Sequence, residues 1–344
     1  MNKFTSSPPE RNDCMLACDD PIETLKKKRI ILAPMSGITD IPFRLMTKKF
    51  GCEFAFTEMI DINGLLHNNR RTFSMMDTVP GDNLSGIQLV GEDAEKFLHV
   101  GKMCEDKGFK LIDINAGCPA RKVVKCGKGS ALMKDVKKLA KIVSMLVENL
   151  NVHITVKIRS GWDEKSINCV EVAKVLEDVG ASAIGIHPRT QNQMYKGKAD
   201  HELTKKIKMS VKIPVIASGN IFSAEDVEDV FGLTGCDAIF VARGALGRPW
   251  IFDEISRYFE GQENIYPPPF KKIKEIIFEH YLLYADLYGD NVAKRRMYKH
   301  LMWYFGKNKN KNEVMKEYQK IEGSGKFKKF LKKIFVEERR LVIQ

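Results

Sequence analysis

The sequence predicts a (β/α)8 TIM barrel followed by a small C-terminal helical bundle. Eight short apolar runs alternate with amphipathic stretches over about 230 residues, which fits a closed parallel barrel better than an open sheet. The first apolar run ends in residues 33–37 (APMSG), which lack the Gly-rich fingerprint that a doubly wound fold usually shows there. A stiff Pro-rich spacer, residues 266–269 (YPPP), separates these repeats from a segment with helical patterns only.

The apolar runs have the lengths of strands, and the stretches between them have the lengths of helices. The strand candidates are residues 30–34, 54–59, 84–89, 111–114, 154–158, 183–186, 214–217 and 238–241. The helix candidates between them are residues 93–107, 136–150, 168–179 and 223–231. Ser223, followed by Glu225 and Asp226, predicts a helix start because acidic side chains are favourable in a first turn.

The same pattern divides the chain into three parts. Residues 1–28 are predicted to be a polar, mobile extension, residues 29–262 the barrel, and residues 265–344 a helical domain. The helix candidates of that domain are residues 270–288, 291–305, 312–321 and 326–339. Aromatic side chains recur there at helical spacing, which indicates a packed core.

Composition indicates an ordinary soluble protein. Hydrophobic residues make up 44% of the chain and charged residues 29%. The N-terminus has no apolar core with a cleavage site, and no apolar stretch is long enough to span a bilayer, so we expect no membrane association. None of the eight cysteines forms a C-x-x-C pair, which argues against a metal site or a disulfide framework. We therefore expect a cytoplasmic protein, and a monomer.

The net charge of +12 is concentrated at one end of the chain. Residues 265–344 contain nineteen Lys and Arg against nine Asp and Glu, a net charge of +10. A basic terminal segment is typical of a polyanion-binding appendage. A Lys-rich, solvated helical face would have the same composition, so the charge alone leaves both interpretations open.

Cys118 is the strongest candidate for a chemical role. It lies in a Gly-Cys-Pro corner directly after an apolar strand, and Pro119 cannot continue the strand. The thiol is therefore presented at a strand's C-terminal end, where α/β barrels keep their catalytic groups. A small buried cysteine at a turn is the alternative, because free cysteines often behave as small apolar residues.

Nearly every predicted strand ends in a polar or special residue, although the strand bodies are rich in Ile, Val and Leu. The strand-end residues are Pro34, Met35, Ser36, Glu58, Gln88, Asn115, Cys118, Lys157, His187, Arg189, Ser218, Gly219, Asn220, Ala242, Arg243 and Gly244. The last two groups follow strands 7 and 8, where such barrels commonly hold a phosphate group on backbone N–H groups. This pattern predicts a phosphate-bearing cofactor across the barrel mouth.

At this level of detail the chain resembles the flavin-dependent tRNA-dihydrouridine synthases, most closely their bacterial B-type branch. The matching motifs are residues 33–40 (APMSGITD), 57–59 (TEM), 88–89 (QL), 115–119 (NAGCP), 157–162 (KIRSGW), 187–190 (HPRT) and 243–250 (RGALGRPW). They occur in family order, and the helical tail also fits. The chain departs from the family pattern at Pro188, Gln191, Ser218 and Ala242.

The resemblance implies bound FMN, NADPH as the hydride source, and reduction of a tRNA uridine to 5,6-dihydrouridine. It implies that three sets of residues bind the cofactor: Pro34, Met35 and Ser36 at the isoalloxazine; Gln88 and Lys157 at its pyrimidine end; and Ser218, Gly219, Asn220, Ala242, Arg243 and Gly244 at the phosphate. Asn115, His187 and Arg189 are implied to hydrogen-bond the uracil, and His187 is also counted among the cofactor-binding residues. Cys118 corresponds to the family's proton donor.

The chemistry of the reaction suits these residue types. Reduction of the uracil 5,6 double bond needs a hydride at C6 and a proton at C5, and a cysteine is mostly protonated at neutral pH. Two alternatives stay open: an FMN barrel oxidoreductase that acts on a small pyrimidine or an enone, and a non-catalytic RNA-binding barrel. The basic tail argues against the first, and the presence of Gln88, Cys118 and Lys157 argues against the second.

Overall fold

The computed structural model describes residues 20–82, 84–306 and 310–336. Eight parallel strands form a closed barrel in sequence order, and β8 pairs with β1 with Ile30 opposite Ile239. The strands are β1 Ile30–Leu32, β2 Ala55–Asp61, β3 Leu84–Val90, β4 Leu111–Ala116, β5 His153–Arg159, β6 Ala183–His187, β7 Val215–Ser218 and β8 Ala238–Val241. The predicted (β/α)8 barrel is confirmed.

Helices surround the barrel and cover the outer faces of its strands. They are α1 Pro21–Lys28, α2 Ile41–Lys48, α3 Ile62–Leu66, α4 Arg70–Phe73, α5 Ala94–Asp106, α6 Arg121–Val124, α7 Val136–Asn149, α8 Cys169–Asp178, α9 His201–Ser210, α10 Ala224–Thr234 and α11 Ile251–Phe259. Short 3₁₀ helices span Ser74–Met76, Gly129–Lys134 and Arg243–Ala245. As the sequence predicts, Ser223 starts α10, in a capping box with Asp226.

The segment directly before β1 differs from the prediction of a mobile extension. Residues 21–28 form helix α1, which Asp20 caps by accepting a hydrogen bond from the Ile22 N–H at 2.8 Å. Ile22 and Leu25 are buried in the apolar cluster that fills the barrel interior. The helix forms because its apolar face covers the bottom of the barrel. The rest of the predicted extension, residues 1–19, lies outside the described residues.

The C-terminal segment is helical, as predicted. Its helices are α12 Phe270–Tyr288, α13 Asp290–Tyr304, α14 Lys311–Tyr318 and α15 Gly323–Val336. Their core contains the buried aromatic residues Tyr281, Tyr284 and Tyr304, which confirms the interpretation of the aromatic spacing. The last helix begins three residues earlier than predicted, and the predicted residues 337–339 lie outside the described ranges. No described helix combines the length and the apolar character that a bilayer span requires.

The helical segment is docked firmly on the barrel. Met46 and Trp250 of the barrel belong to the same apolar cluster as the core of α12–α15. At the contact, the Tyr284 hydroxyl donates to the buried Asp40 carboxylate at 2.9 Å, and Arg296 forms an ion pair with the same carboxylate at 3.1 Å. Because this contact is partly apolar and partly ionic, it fixes α13 beside the mouth of the barrel.

Gly247 makes the tightest backbone contact between the two parts, and we expect Gly247→Ala to destabilise the fold. Its φ is +71°, and an added Cβ would lie 2.5 Å from the Trp303 carbonyl carbon. We expect a loss of about 1–3 kcal/mol beyond the cost of the backbone angle. Gly261→Ala is the matched control, because its φ is +67° with nothing within 4 Å of the added Cβ. Equal melting temperatures for the two variants would contradict this expectation.

Candidate active site

The predicted site residues meet at one cavity of about 720 Å³ at the C-terminal mouth of the barrel. The cavity wall contains Pro34, Met35, Ser36, Gln88, Asn115, Cys118, Lys157, His187, Ser218, Gly219, Asn220, Ala242 and Arg243. Three predicted residues lie outside the wall. Arg189 contacts His187 and Asn220, Gly244 packs directly on the carbonyl oxygen of Ile221, and Glu58 lines the adjoining cavity. The barrel therefore collects groups that are far apart in sequence.

A chain of buried hydrogen bonds crosses the cavity floor from β5 to the cysteine. The Asp113 carboxylate accepts from Thr155 Oγ1 and from Gln88 Nε2, both at 2.7 Å. Asn115 Nδ2 donates to Gln88 Oε1 at 2.8 Å, and Asn115 Oδ1 accepts from the Cys118 N–H at 2.8 Å. Each side-chain amide is thus fixed in one orientation, and the floor is rigid.

Cys118 is held at its backbone while its half-buried thiol faces the cavity. Its carbonyl oxygen accepts from both the N–H and the hydroxyl of Ser130, each at 3.0 Å. Burial raises the pKa of the Cys118 thiol, and the Ala120 N–H and Arg159 offset this only in part. At neutral pH the group is therefore a thiol that can give up a proton.

Lys157 crosses the barrel interior, and Gly185 leaves room for it. An added Cβ at residue 185 would lie 2.5 Å from Lys157 Cδ, so the neighbouring strand must have glycine here. Lys157 Nζ donates to Ser218 Oγ at 2.8 Å. Ser218, which departs from the family pattern, therefore helps to hold the Lys157 ammonium in place. Burial lowers the pKa of Lys157 to about 7, although Asp113 opposes the shift.

His187 is neutral because it is buried among cations. Burial lowers its pKa far below the usual value, and Lys157 and nearby arginines add to the effect. Arg189 Nη1 lies 3.0 Å from His187 Nε2, and a guanidinium can only donate, so Nε2 accepts and Nδ1 has the proton. His187 therefore offers one N–H donor at Nδ1.

Arg189 is held by backbone and side-chain acceptors behind the cavity. Its other N–H groups donate to the carbonyl oxygens of Lys196 and Gly197 and to Asn220 Oδ1. Asn220 has a φ of +59°, and this hydrogen bond stabilises that uncommon backbone conformation. Arg189 thus orients His187 and the loop after β7, and its contact with a substrate stays a prediction.

Two important site residues, Asp113 and Arg159, are absent from the sequence prediction. Arg159 lines the cavity and joins two loops, because it donates to the carbonyl oxygens of Gly117, Thr190 and Met194 at 2.7–2.9 Å. Each residue lies two positions from a predicted one on the same strand, beside Asn115 and Lys157 respectively. Side chains at i and i+2 point to the same face of a strand, so the alternation could have identified both.

The phosphate end of the predicted site has an available cation. Arg243 lines the cavity, and none of the ion pairs in the described ranges includes it. Its guanidinium carbon lies 5.4 Å from the ring centres of both Tyr195 and Phe222. An unpaired guanidinium held between two rings is well suited to an anionic group.

A second, more open cavity of about 1240 Å³ adjoins the first and shares Ser36, Met59 and Val123 with it. We call it the basic groove, because Arg70, Arg71, Arg295, Arg296 and Lys299 contribute to its walls. It lies between the loops after β1 and β2 and helix α13. The basic tail thus comes directly beside the site.

Helix α13 has four cationic side chains close together, and their environments differ: Lys294, Arg295, Arg296 and Lys299. Arg296 is paired with Asp40, and Lys299 is largely buried, facing Asp40 and Glu58, with its pKa lowered by burial. Lys294 is not in the groove wall, whereas Arg295 is exposed and lines it. Arg296 therefore holds the tail on the barrel through its ion pair with Asp40, whereas Arg295 is an exposed cation in the groove wall. No group of three or more described His, Cys, Asp or Glu residues could hold a metal ion.

The family model for dihydrouridine synthases, described as "Dihydrouridine synthase (Dus)", matches residues 31–339, nearly the whole chain. The chain belongs to the dihydrouridine synthase family. This confirms the predicted family and enzyme class. The chain is 35% identical over 298 residues to "tRNA-dihydrouridine synthase B" of Vibrio vulnificus, covering 87% of this chain and 92% of that protein. It is 39% identical over 276 residues to a "Probable tRNA-dihydrouridine synthase" of Rickettsia conorii, covering 80% of this chain and 83% of that protein.

Solved structures with low sequence identity share the barrel fold. Histamine dehydrogenase from Rhizobium sp. 4-9 superposes with a TM-score of 0.50 at 16% identity, covering 74% of this chain and 49% of that one. A 2-naphthoyl-CoA reductase superposes with a TM-score of 0.51 at 11% identity, covering 68% of this chain and 50% of that one. At such identities the likeness concerns the fold alone.

Proposed function

We propose that this protein reduces uridines of tRNA to 5,6-dihydrouridine, with FMN as its flavin and NADPH as the reductant. One observation carries the proposal: the Cys118 thiol, the Asp113–Gln88–Asn115 hydrogen bonds and Lys157 meet in a single cavity that opens beside the basic groove. Membership of the dihydrouridine synthase family supports the same reaction.

The cavity wall fits a flavin mononucleotide. A volume of about 720 Å³ is within the usual range for cofactor sites. Arg243 and the loop of Ser218, Gly219 and Asn220 would hold the phosphate, and Gln88 and Lys157 would hold the polar edge of the ring. When bound, the flavin supplies the hydride. Lys157 in its ammonium form stabilises negative charge at that edge.

The remaining donors suit a uracil that has left its base stack. His187 Nδ1–H and the second amide N–H of Asn115 can donate to uracil carbonyl oxygens, while Arg189 fixes the tautomer of His187. Asn115 also accepts a hydrogen bond from the Cys118 N–H, so one side chain positions both the uracil and the cysteine that gives it a proton. Cys118 gives its proton to C5, and its raised pKa keeps that proton in place at neutral pH.

The basic groove is the proposed path of the tRNA backbone. Arg70, Arg71 and Arg295 are exposed there, so they can neutralise phosphates without breaking a buried ion pair. We further propose that the enzyme works as a monomer, because a single chain contains both the cavity and the groove. We also propose that it works in the cytoplasm.

The decisive experiment is reduction of an unmodified tRNA transcript by the purified protein with NADPH. We expect a yellow protein with one FMN per chain, NADPH-dependent dihydrouridine in the tRNA, and no turnover of free uracil or of a small enone. Efficient turnover of the small molecules without tRNA would contradict the proposed substrate. A protein that contains no flavin and cannot be reconstituted with FMN would contradict the cofactor.

We expect FMN affinity to fall as pH rises from 7 to 9, because of Lys157. Its pKa is lowered to about 7 in the flavin-free protein, and FMN favours the ammonium form, so binding above pH 7 requires uptake of a proton. The affinity should then drop by up to about tenfold per pH unit. Fluorescence quenching of FMN by the flavin-free protein measures this. Lys157→Met should remove the slope, while titration of the phosphate group near pH ~6 affects both proteins equally.

A further inference from the structure

Lys128 is a buried cation at the far end of the loop that contains Cys118. Its side chain is only 7% exposed, and its ammonium lies 2.9 Å from both carboxylate oxygens of Asp61 and 3.4 Å from Glu92 Oε2. Asp61 is the last residue of β2, and Glu92 follows β3. The ion triad of Asp61, Lys128 and Glu92 therefore joins the cysteine loop to the ends of two other strands.

The backbone beside Lys128 touches Cys118 directly. The next residue, Gly129, has a φ of +60°, and a Cβ there would lie 2.7 Å from the Cys118 carbonyl oxygen. Ser130 donates two hydrogen bonds to that same oxygen, each of 3.0 Å. A displacement of residues 128–130 would therefore displace Cys118.

Between Arg121 and Gly127 the loop has no buried residue. Arg121, Lys122, Lys125 and Cys126 are exposed, and the loop becomes buried again at residues 128–130. Glu92 Oε2 is buried and has no hydrogen-bond partner among the described residues, so the nearby ammonium is its compensating charge. The two carboxylates outweigh burial and raise the pKa of Lys128, so its ammonium stays charged at neutral pH.

We propose that Lys128 is a positioning residue, whose ion triad with Asp61 and Glu92 holds the Cys118 thiol at the distance from the uracil that proton transfer needs. This inference rests on the proposed function for its catalytic consequence. Lys128 acts through position and not through its charge on the thiol, because its ammonium is paired with two carboxylates while Ser130, two residues further on, holds the Cys118 carbonyl.

The test compares Lys128→Met, which keeps the length of the side chain, with Lys128→Arg and with Lys137→Met. Lys137 is exposed on α7 and takes part in none of the ion pairs among residues 20–82, 84–306 and 310–336. We expect Lys128→Met to lower kcat for tRNA by about tenfold to a hundredfold with little change in KM, the size expected for a displacement near 1 Å. Flavin content, flavin reduction by NADPH and the pH profile should stay unchanged, and Lys128→Arg should restore much of kcat.

A second measurement does not depend on tRNA. Alkylation of Cys118, followed by peptide mass spectrometry with the exposed Cys126 as reference, should be several-fold faster in Lys128→Met and in Asp61→Asn. If kcat and the alkylation rate both match those of Lys137→Met, or if flavin reduction falls as much as kcat, the inference is overturned. A wild-type protein that makes no dihydrouridine would contradict the proposed function, and the alkylation rates would still decide whether the triad positions Cys118.

Discussion

Cys118→Ala is expected to slow reduction of tRNA by about two to four orders of magnitude while flavin reduction by NADPH continues near the wild-type rate. The reason is that the proposed function has Cys118 supply the proton for C5, and burial keeps that proton on the thiol at neutral pH. Flavin reduction does not need the group. The substitution removes one half-buried sulfur atom. The backbone N–H of residue 118 still donates to Asn115, and its carbonyl oxygen still accepts from Ser130, so the fold should be preserved.

Single-turnover kinetics separate the two half-reactions. NADPH is first consumed in the absence of tRNA, and reoxidation of the flavin is then followed after tRNA is added. Cys126→Ser is the matched control, because Cys126 is an exposed cysteine on the same loop and lies outside the cavity wall. If Cys118→Ala reoxidises its flavin with tRNA as fast as Cys126→Ser does, Cys118 is a structural residue only.

The barrel could be predicted from the sequence because each of its strands has a local signal. The strands β4 and β5 are rich in Leu, Ile and Val, and polar residues occupy positions near their C-terminal ends, where parallel strands place them together. Most residues of the cavity wall could therefore be predicted from their positions at the strand ends. Arg159 is an exception, because the sequence shows it only as part of a motif. Its three carbonyl acceptors lie on loops that come near it only in the closed barrel.

The parts that could not be predicted depend on contacts between distant segments. Helix α1 is polar in sequence, and two apolar side chains suffice to bury one face at the barrel bottom. Arg295 and Arg296 are neighbours in sequence, yet one is exposed and the other is paired with Asp40, 256 residues earlier in the chain. Charge counts cannot distinguish them, because the difference arises only when the folded tail brings Arg296 to Asp40 at the start of α2.

The docking of the tail also decides which variants can test tRNA binding. Deleting residues 265–344 would expose Met46 and Trp250, which are fully buried against the tail. Reversing Arg296 or Lys299 would remove one of the cations that compensate the buried Asp40 carboxylate and would place a like charge beside it. Either change would confound binding with folding. The exposed cations of the basic groove avoid this problem.

Arg71→Glu combined with Arg295→Glu is expected to weaken tRNA binding by roughly tenfold to a hundredfold at low salt and to flatten its salt dependence. Both side chains are exposed on opposite walls of the basic groove, next to the proposed uracil site. Each lost phosphate contact should reduce the slope of log K against log salt by about 1, so the double variant should lose about 2.

The matched control is Lys329→Glu combined with Lys332→Glu on α15. These lysines are exposed, outside the groove wall, and their reversal changes the net charge by the same amount. Long-range attraction would weaken equally in both proteins, whereas loss of direct phosphate contacts affects only the groove variant. Filter binding of tRNA from 50 to 300 mM salt therefore distinguishes the two effects. Equal losses of affinity and slope in both double variants would mean that the RNA does not follow the groove, and the tail would then act through its overall charge.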